Sequence, residues 1–189
     1  MNPSRSMLAV AALSMLTFAP LAHGEGWPWA RQLETYESHM KETASREGRF
    51  EALDHAAVAA LMLGKIETAR SYAEESLGMA ESYSHNWNYG NAIHDGHAVL
   101  GLLALQKDDV TRGEVELLAA GRTPGSGTIS KYGPNMSLAK ALLEKGRRTA
   151  VLAYLEECRL FWDDHGRLDE WELAVEQGEI PDFKGRLWR

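Results

Sequence analysis

Two histidines lie three positions apart in the middle of the chain, at His94 and His97. Side chains at that spacing share one face of a helix, and neutral imidazoles coordinate zinc, copper or nickel. One interpretation is therefore a metal site or a small polar ligand pocket. Catalytic zinc uses three protein ligands and structural zinc four, which is more than these two histidines supply. The alternative interpretation is therefore a pair of buried, hydrogen-bonded histidines.

His97 lies in a stripe of otherwise apolar residues on the expected inward face of its helix. A polar group buried there needs a hydrogen-bond partner, and Asn135, near the start of a later helix, is the expected partner for either histidine. Asn91 precedes His94 by one turn, and Asp95 lies nearby on the helix surface. The candidate polar cluster consists of Asn91, His94, His97 and Asn135.

The remaining reactive side chains give weaker signals. His55 lies among alanines and is expected to be packed or half exposed. The only cysteine, Cys158, lies on the apolar face of a helical pattern and is expected to be a small buried side chain. Ser126 and Ser130 have no identifiable base, and the sequence contains no Ser-His-Asp order, zinc-protease motif or phosphate loop. Enzymatic activity stays open at this point, and the preferred interpretation requires no cofactor.

Tryptophans at helix ends and in loops are candidates for partner contacts, because large aromatic side chains often anchor protein interfaces. Trp87 borders an asparagine-rich loop beside the histidine helix and is the candidate for that role. Trp29 and Trp162 fall on apolar stripes and are expected in the core. A structural role at the ends of the fold is expected for Trp27, Trp171 and Trp188.

Three copies of a helical hairpin position these residues. The copies are marked by small residues in the first helix and by turns at Gly64, Asp108 and Gly146. Their helices are expected at about 49–63 and 66–84, 91–106 and 109–120, and 134–145 and 147–165. An opening helix over 29–40 and a last helix over 168–177 are expected to cap the stack. No segment alternates long enough to indicate a strand, so the fold class is all-α.

The segment 122–134 is the longest loop that the sequence predicts inside the folded chain, because it is rich in glycine and proline. A loop of this length within a compact domain is often functional. Together with the helix that carries His94, it is expected to border a groove for a partner.

The hairpins resemble the tetratricopeptide repeat, in which small residues, a turn and an alanine mark each unit of about 34 residues. The matching residues are Leu100, Gly101, Asp108 and Ala120; Ala57, Gly64 and Ala69; and Leu138, Ala139 and Gly146. Val151 replaces the alanine of the third copy, and the turns are farther apart than in a regular repeat. The segments 91–101, 133–136 and 154–162 are also similar to exported bacterial tetratricopeptide-like proteins. The resemblance implies an α-solenoid of about three stacked antiparallel hairpins plus capping helices, and it implies no activity.

The first residues have the pattern of a secretory signal peptide. Arg5 precedes an apolar run over 7–19, and the small-residue site Ala22-His23-Gly24 follows. The run is shorter than the roughly 20 residues of a membrane-spanning helix. We therefore expect a signal peptide over 1–24 and an exported, periplasmic or secreted domain over 25–189, with no membrane insertion after cleavage.

The acidic composition restricts the class of partner. The chain has 27 acidic and 20 basic residues and a net charge of −7, so nucleic acid and anionic membrane surfaces are expected to be repelled. Our first hypothesis is a scaffold that holds a protein or peptide in the groove beside His94 and the loop 122–134. The alternative is a metal- or small-ligand-binding protein, an enzyme or enzyme accessory included, that uses His94, His97 and Asn135. A third hypothesis is a purely structural role in an envelope assembly.

Overall fold

A computed structural model describes residues 29–188, and all regular structure within that range is helical. The α-helices are α1 (Trp29–Glu42), α2 (Arg46–Met62), α3 (Ile66–Ala80), α4 (Tyr89–Gln106), α5 (Val110–Gly121), α6 (Ile129–Tyr132), α7 (Ser137–Glu144), α8 (Arg148–Cys158) and α9 (Arg167–Glu176). The all-α prediction is confirmed for these residues. The predicted signal peptide over 1–24 and Trp27 lie outside the described range.

The three predicted turns separate α2 from α3, α4 from α5, and α7 from α8. Gly64 and Gly146 have φ values of 70° and 75°, a left-handed backbone that glycine adopts without strain. Asp108 has a φ of 58° in the corresponding turn. Asp109 then caps α5 by accepting a hydrogen bond from the Arg112 backbone N–H at 3.0 Å. Local sequence therefore ends the first helix of each hairpin, and in the second hairpin it also starts the next helix.

Packing follows the order of the hairpins. The helices of each hairpin contact each other, α3 packs against α4, and the first helices α2, α4 and α7 contact one another in sequence. The second helices α5 and α8 also pack together, α1 covers α2, and α9 packs on α8. One core cluster lies among α1 to α4, and a second cluster extends from the end of α4 to the segment after α9.

Small residues let these helices approach closely. The alanines of α2 at positions 52, 56, 57, 59 and 60 are all fully buried. A Cβ atom added to Gly101 would lie 2.3 Å from Cδ2 of Leu138, so the missing side chain admits α7 against α4. The small-residue positions that define the repeat pattern are therefore points of helix contact.

Two helix boundaries differ from the sequence prediction. α8 ends at Cys158 and not near His165: residues 159–161 form a turn, in which the Phe161 and Trp162 backbone N–H groups both bond to the Cys158 carbonyl, at 3.3 and 3.0 Å. That turn brings the buried Trp162 ring to 5.6 Å from Trp171. α7 begins at Ser137 and not at Pro134: residues 133–136 have no regular structure, starting from Gly133 with a φ of 88°, and the Asn135 side chain accepts from the Ser137 N–H.

The burial predicted from the apolar stripes is confirmed. Trp29, Trp162 and Cys158 are buried as expected, and burial raises the pKa of the Cys158 thiol well above its usual range. A protonated, inaccessible thiol is a poor nucleophile. Within residues 29–188, no helix combines the length and the apolar composition needed to cross a membrane.

Candidate functional site

His94 is a buried link between α4 and α8. Its side chain is 1% exposed, its Nε2 lies 3.0 Å from the hydroxyl oxygen of Tyr154, and its Nδ1 lies 2.8 Å from a carboxylate oxygen of Asp95. The pKa of the Tyr154 hydroxyl is raised by complete burial, and by Cys158 and Asp95 to a smaller extent. Both nitrogens of His94 therefore have protein partners, which is typical of a satisfied buried histidine.

His97 links α4 to a different neighbour, α5. Its Nδ1 lies 2.6 Å from Oε2 of Glu116, whose other carboxylate oxygen pairs with Arg112. Glu116 is 1% exposed. Burial alone would raise the pKa of its carboxyl, but the hydrogen bonds and charges of His97 and Arg112 outweigh burial and lower that pKa. Glu116 and Arg112 also line a surface cleft of about 210 Å³ between α3, α4 and α5.

Asn91 belongs to a buried chain of polar side chains that runs from α2 to the loop after α5. Asn88 donates to Oδ1 of Asp54 at 3.0 Å, and Asn91 donates to Oδ1 of Asn88 at 2.9 Å. The hydroxyl of Ser126 donates to Oδ1 of Asn91 at 2.6 Å. Asp54, Asn88 and Asn91 are buried. These bonds join α2, α4 and the loop into one hydrogen-bonded unit.

The first half of the loop 122–134 is held against the start of α4. The Thr123 hydroxyl donates to the carbonyl of Gly90 at 2.8 Å. A Cβ atom added to Gly90 would lie 1.8 Å from the Gly125 carbonyl oxygen, so only glycine permits this contact. The Ser126 hydroxyl accepts from the Ile129 backbone N–H at 3.1 Å, next to the short helix α6. The loop therefore contains a helical turn and fixed contacts.

His55 shares Asp54 with this chain of polar groups. Its Nδ1 lies 2.9 Å from Oδ1 of Asp54, its side chain is 39% exposed, and its ring lies 4.9 Å from that of Tyr36. Burial acts to lower the pKa of His55, but the hydrogen bond and charge of Asp54, with the charge of Asp95, raise it overall. The expectation that His55 is half exposed is confirmed.

The structure does not bring Asn135 to either histidine. Its Oδ1 accepts from the Ser137 backbone N–H at 2.8 Å, at the start of α7. Both histidines bond to carboxylates instead, and a charged acceptor forms the stronger hydrogen bond. The four residues of the predicted cluster therefore lie in separate hydrogen-bond groups. Within the part of the chain that the structure describes, no group of three or more His, Cys, Asp or Glu residues could hold a metal ion.

Trp87 is the most exposed of the predicted binding residues, whereas His97 and Asn135 are partly buried. It is 60% exposed, and its indole N–H donates to Oε1 of Glu51 at 2.9 Å. The Asn86 side-chain amide donates to Oε1 of Glu51 and Oε1 of Glu47, both at 2.8 Å. Two glutamates of α2 thus fix the orientation of the Asn86-Trp87 turn.

Comparison of the chain with protein-family models, curated proteins and solved structures gave no match. Sequence reasoning missed Asp54, Asn88 and Glu116, which supply the partners of the predicted residues. The available signal was an aspartate within the buried, alanine-rich stretch of α2.

Replacing His97 by alanine is expected to lower the free energy of unfolding by about 1 to 2 kcal/mol at pH 7, because the buried Glu116 carboxylate loses a donor. The pKa of Glu116 is lowered from its ordinary value of 4.5. Its ionised form therefore stabilises the fold above pH 4.5, and this stabilisation is lost as the pH falls through the folded-state pKa. Urea unfolding of the parent protein and of His97→Ala, at pH 7 and at successively lower pH, measures the difference in their free energies of unfolding.

Zinc distinguishes this structural role from a ligand role. We expect zinc to raise the melting temperature of neither the parent protein nor His97→Ala, since His97 and Glu116 are paired with each other between α4 and α5. A rise in the parent that disappears in His97→Ala, without a loss of stability in the absence of zinc, would contradict the prediction.

Proposed function

We propose that this chain is an exported helical-repeat scaffold that binds a protein or peptide partner, with Trp87 at the centre of the contact surface. The observation that carries the proposal is an indole that is 60% exposed and yet fixed through its N–H by Glu51. Exposed, oriented tryptophans are frequent energetic centres of interfaces. The surface lies at the start of α4, beside the loop 122–134 that Thr123 and Ser126 hold in place.

Preorganisation of this surface supports the proposal. The turn that carries Trp87 is followed by Asn88, whose buried side chain bonds to Asp54 of α2 and to Asn91 of α4. The turn is therefore anchored on both sides before any partner arrives. A partner then loses less binding free energy to the ordering of the protein.

The surroundings of Trp87 favour a partner that carries arginine or lysine. Glu47 and Glu51 place two carboxylates beside the indole, and the whole chain has a net charge of −7. A guanidinium or ammonium group is attracted both to carboxylates and to the face of an indole ring. The proposed partner is thus a protein or peptide with a basic segment, and the same charges disfavour nucleic acid.

The packing order supports the finer architecture that we propose for the domain. Contacts between α2, α4 and α7, and between α5 and α8, are those expected of three stacked hairpins in a tetratricopeptide-like α-solenoid. α1 and α9 would then be capping helices of a single domain over 25–189. The alternative of a metal- or small-ligand-binding protein has less support, because His94, His97 and Asn135 do not converge and each is hydrogen-bonded to a protein partner of its own.

The test is binding of a synthetic arginine-rich peptide to the ¹⁵N-labelled domain, followed by nuclear magnetic resonance. The indole N–H signal of Trp87 is assigned by its loss in Trp87→Phe. We expect this signal and the Asn86 side-chain amide signals to shift with peptide concentration. Trp87→Ala should weaken binding by about tenfold or more, the range of an interface hot spot.

Leu173→Ala is the control, because Leu173 is a large apolar residue of α9 that is 55% exposed and lies outside both the Glu47 and Glu51 surface and the loop 122–134. It should leave the peptide affinity unchanged. A peptide of the same length with glutamate in place of arginine should not bind. Equal affinities of the parent and Trp87→Ala for the basic peptide would overturn the proposal.

A further inference from the structure

The segment after α9 returns across the start of α7. The Met136 backbone N–H donates to the Arg186 carbonyl at 2.7 Å, and the Trp188 backbone N–H donates to the Ser137 hydroxyl at 2.9 Å. We call residues 183–188 the strap. Apart from one turn, closed by the Arg186 N–H and the Phe183 carbonyl at 2.9 Å, the strap has no regular structure. The strap therefore docks on the start of α7 through its main chain, as a bound peptide does on a folded surface.

Side chains of the strap contact both cores. Phe183 is fully buried and meets Trp171 edge-on, with 5.0 Å between ring centroids. Leu187 packs against the second core cluster, whereas Trp188 packs against the first. Leu187 and Trp188 are only partly buried. The strap thus fills a groove whose walls come from both halves of the domain.

The arginine of the strap is held less well than its apolar neighbours. The Arg186 guanidinium lies 5.9 Å from the centroid of Trp162, which the Arg167 guanidinium also approaches at 5.7 Å. The Nε atom of Arg186 is buried and has no hydrogen-bond partner among the described residues. The lack of such a partner for this partly buried cation, and the second cation beside it, offset part of its attraction to the Trp162 face and so weaken the hold on the segment.

We propose that the groove at the start of α7 is a peptide-binding site that residues 183–188 occupy in cis, and that the strap is displaced by a segment of a partner with the same chemistry. That chemistry is an arginine followed by two large apolar residues, as in Arg186, Leu187 and Trp188. The groove supplies one backbone donor at Met136, one hydroxyl acceptor at Ser137 and the face of Trp162. This site goes beyond the proposed function, because it is a surface separate from Trp87.

The probe is a fluorescein-labelled peptide with the sequence of residues 184–189, and the measurement is fluorescence anisotropy. A chain that ends at Gly185 retains the buried Phe183 and leaves the rest of the groove open. We expect this shortened chain to bind the peptide saturably. The full chain should bind it at least about tenfold more weakly, because a tethered segment competes at an effective concentration near the millimolar range.

Three controls make the result decisive. A peptide with alanine in place of Trp188 should bind the shortened chain more weakly than the parent peptide. In the full chain, Trp188→Ala weakens the strap without deleting it, so this variant should also bind the peptide more tightly than the parent chain does. Because the peptide is itself basic and would also bind the proposed Trp87 surface, the full and shortened chains are compared in the Trp87→Ala background, where the difference between them should persist. This comparison separates failure here from failure at the Trp87 surface.

Equal affinities of the full and shortened chains would overturn the proposal. If the shortened chain lacks the helical circular dichroism of the parent, Trp188→Ala in the full chain decides the question. Absence of saturable binding by a folded shortened chain, or by Trp188→Ala where the shortened chain is unfolded, would show that the strap is a permanent part of the fold.

Discussion

Alanine in place of His94 is expected to lower the free energy of unfolding by about 3 kcal/mol, measured by urea unfolding at pH 7. The substitution leaves the fully buried Tyr154 hydroxyl without its imidazole partner and opens a cavity between α4 and α8. An unpaired buried group costs about 1 to 3 kcal/mol, and the cavity adds to that cost. We therefore expect His94, which the sequence suggested as a ligand, to contribute to the stability of the fold.

Asp95→Ala is the control for this prediction. It removes the partner of Nδ1 of His94, but the aspartate side chain is partly exposed and water can replace its hydrogen bond. We expect a loss of less than about 1 kcal/mol, near the value of one net hydrogen bond. The structural role of His94 would be wrong if His94→Ala were as stable as the parent protein and differed from it only by losing a stabilisation by zinc, copper or nickel.

The hairpins could be predicted because their signals are local. Glycine at positions 64 and 146 has the left-handed backbone of a turn, and Asp109 caps the helix that follows it. The apolar stripe through Cys158 and Trp162 predicted burial at both positions but placed the helix end too late. Periodicity reports which residues face inward, whereas the end of a helix depends on tertiary contacts such as that of Trp162 with Trp171.

The partners of the histidines could not be predicted in the same way. Residues three positions apart on a helix differ by about 60° around its axis. That angle is enough for His94 to meet α8 while His97 meets α5. Glu116 is charged, so the sequence suggests a surface position for it. Its carboxylate is nevertheless buried, because pairing with Arg112 and His97 offsets the cost of removing the charge from water. Spacing within one helix carries no information about which neighbouring helix supplies a partner.

The sequence identified Trp87 as a candidate contact residue but did not identify the groups around it. Its place in an asparagine-rich segment between two helices made it the candidate for a partner contact, and in the structure it is 60% exposed. The two glutamates that fix the turn lie on α2, more than thirty positions earlier in the chain. The acidic character of this surface, and with it the proposed basic partner, therefore became visible only in the folded chain.

Gly90→Ala is expected to destabilise the domain by about 3 kcal/mol, against the usual trend for helices. Alanine is favoured over glycine within a helix by about 1 kcal/mol. Here, however, the new Cβ atom would lie 1.8 Å from the Gly125 carbonyl oxygen, and that neighbour is main chain, so the loop itself must move. Movement of the loop breaks the hydrogen bonds from Thr123 to Gly90 and from Ser126 to Asn91, each worth about 1 kcal/mol net.

Gly127→Ala is the matched control in the same loop, because a Cβ atom there would meet nothing within 4 Å. Its free energy of unfolding should stay within about 0.5 kcal/mol of the parent value. Amide hydrogen exchange should also differ between the two variants. In Gly90→Ala, protection of the loop after α5 should fall more than that of α2, since the loop loses its contacts with α4 while the bond between Asn88 and Asp54 is kept. Equal stabilities of the two variants would show that the loop yields without cost, and the loop would then be no part of a preorganised binding surface.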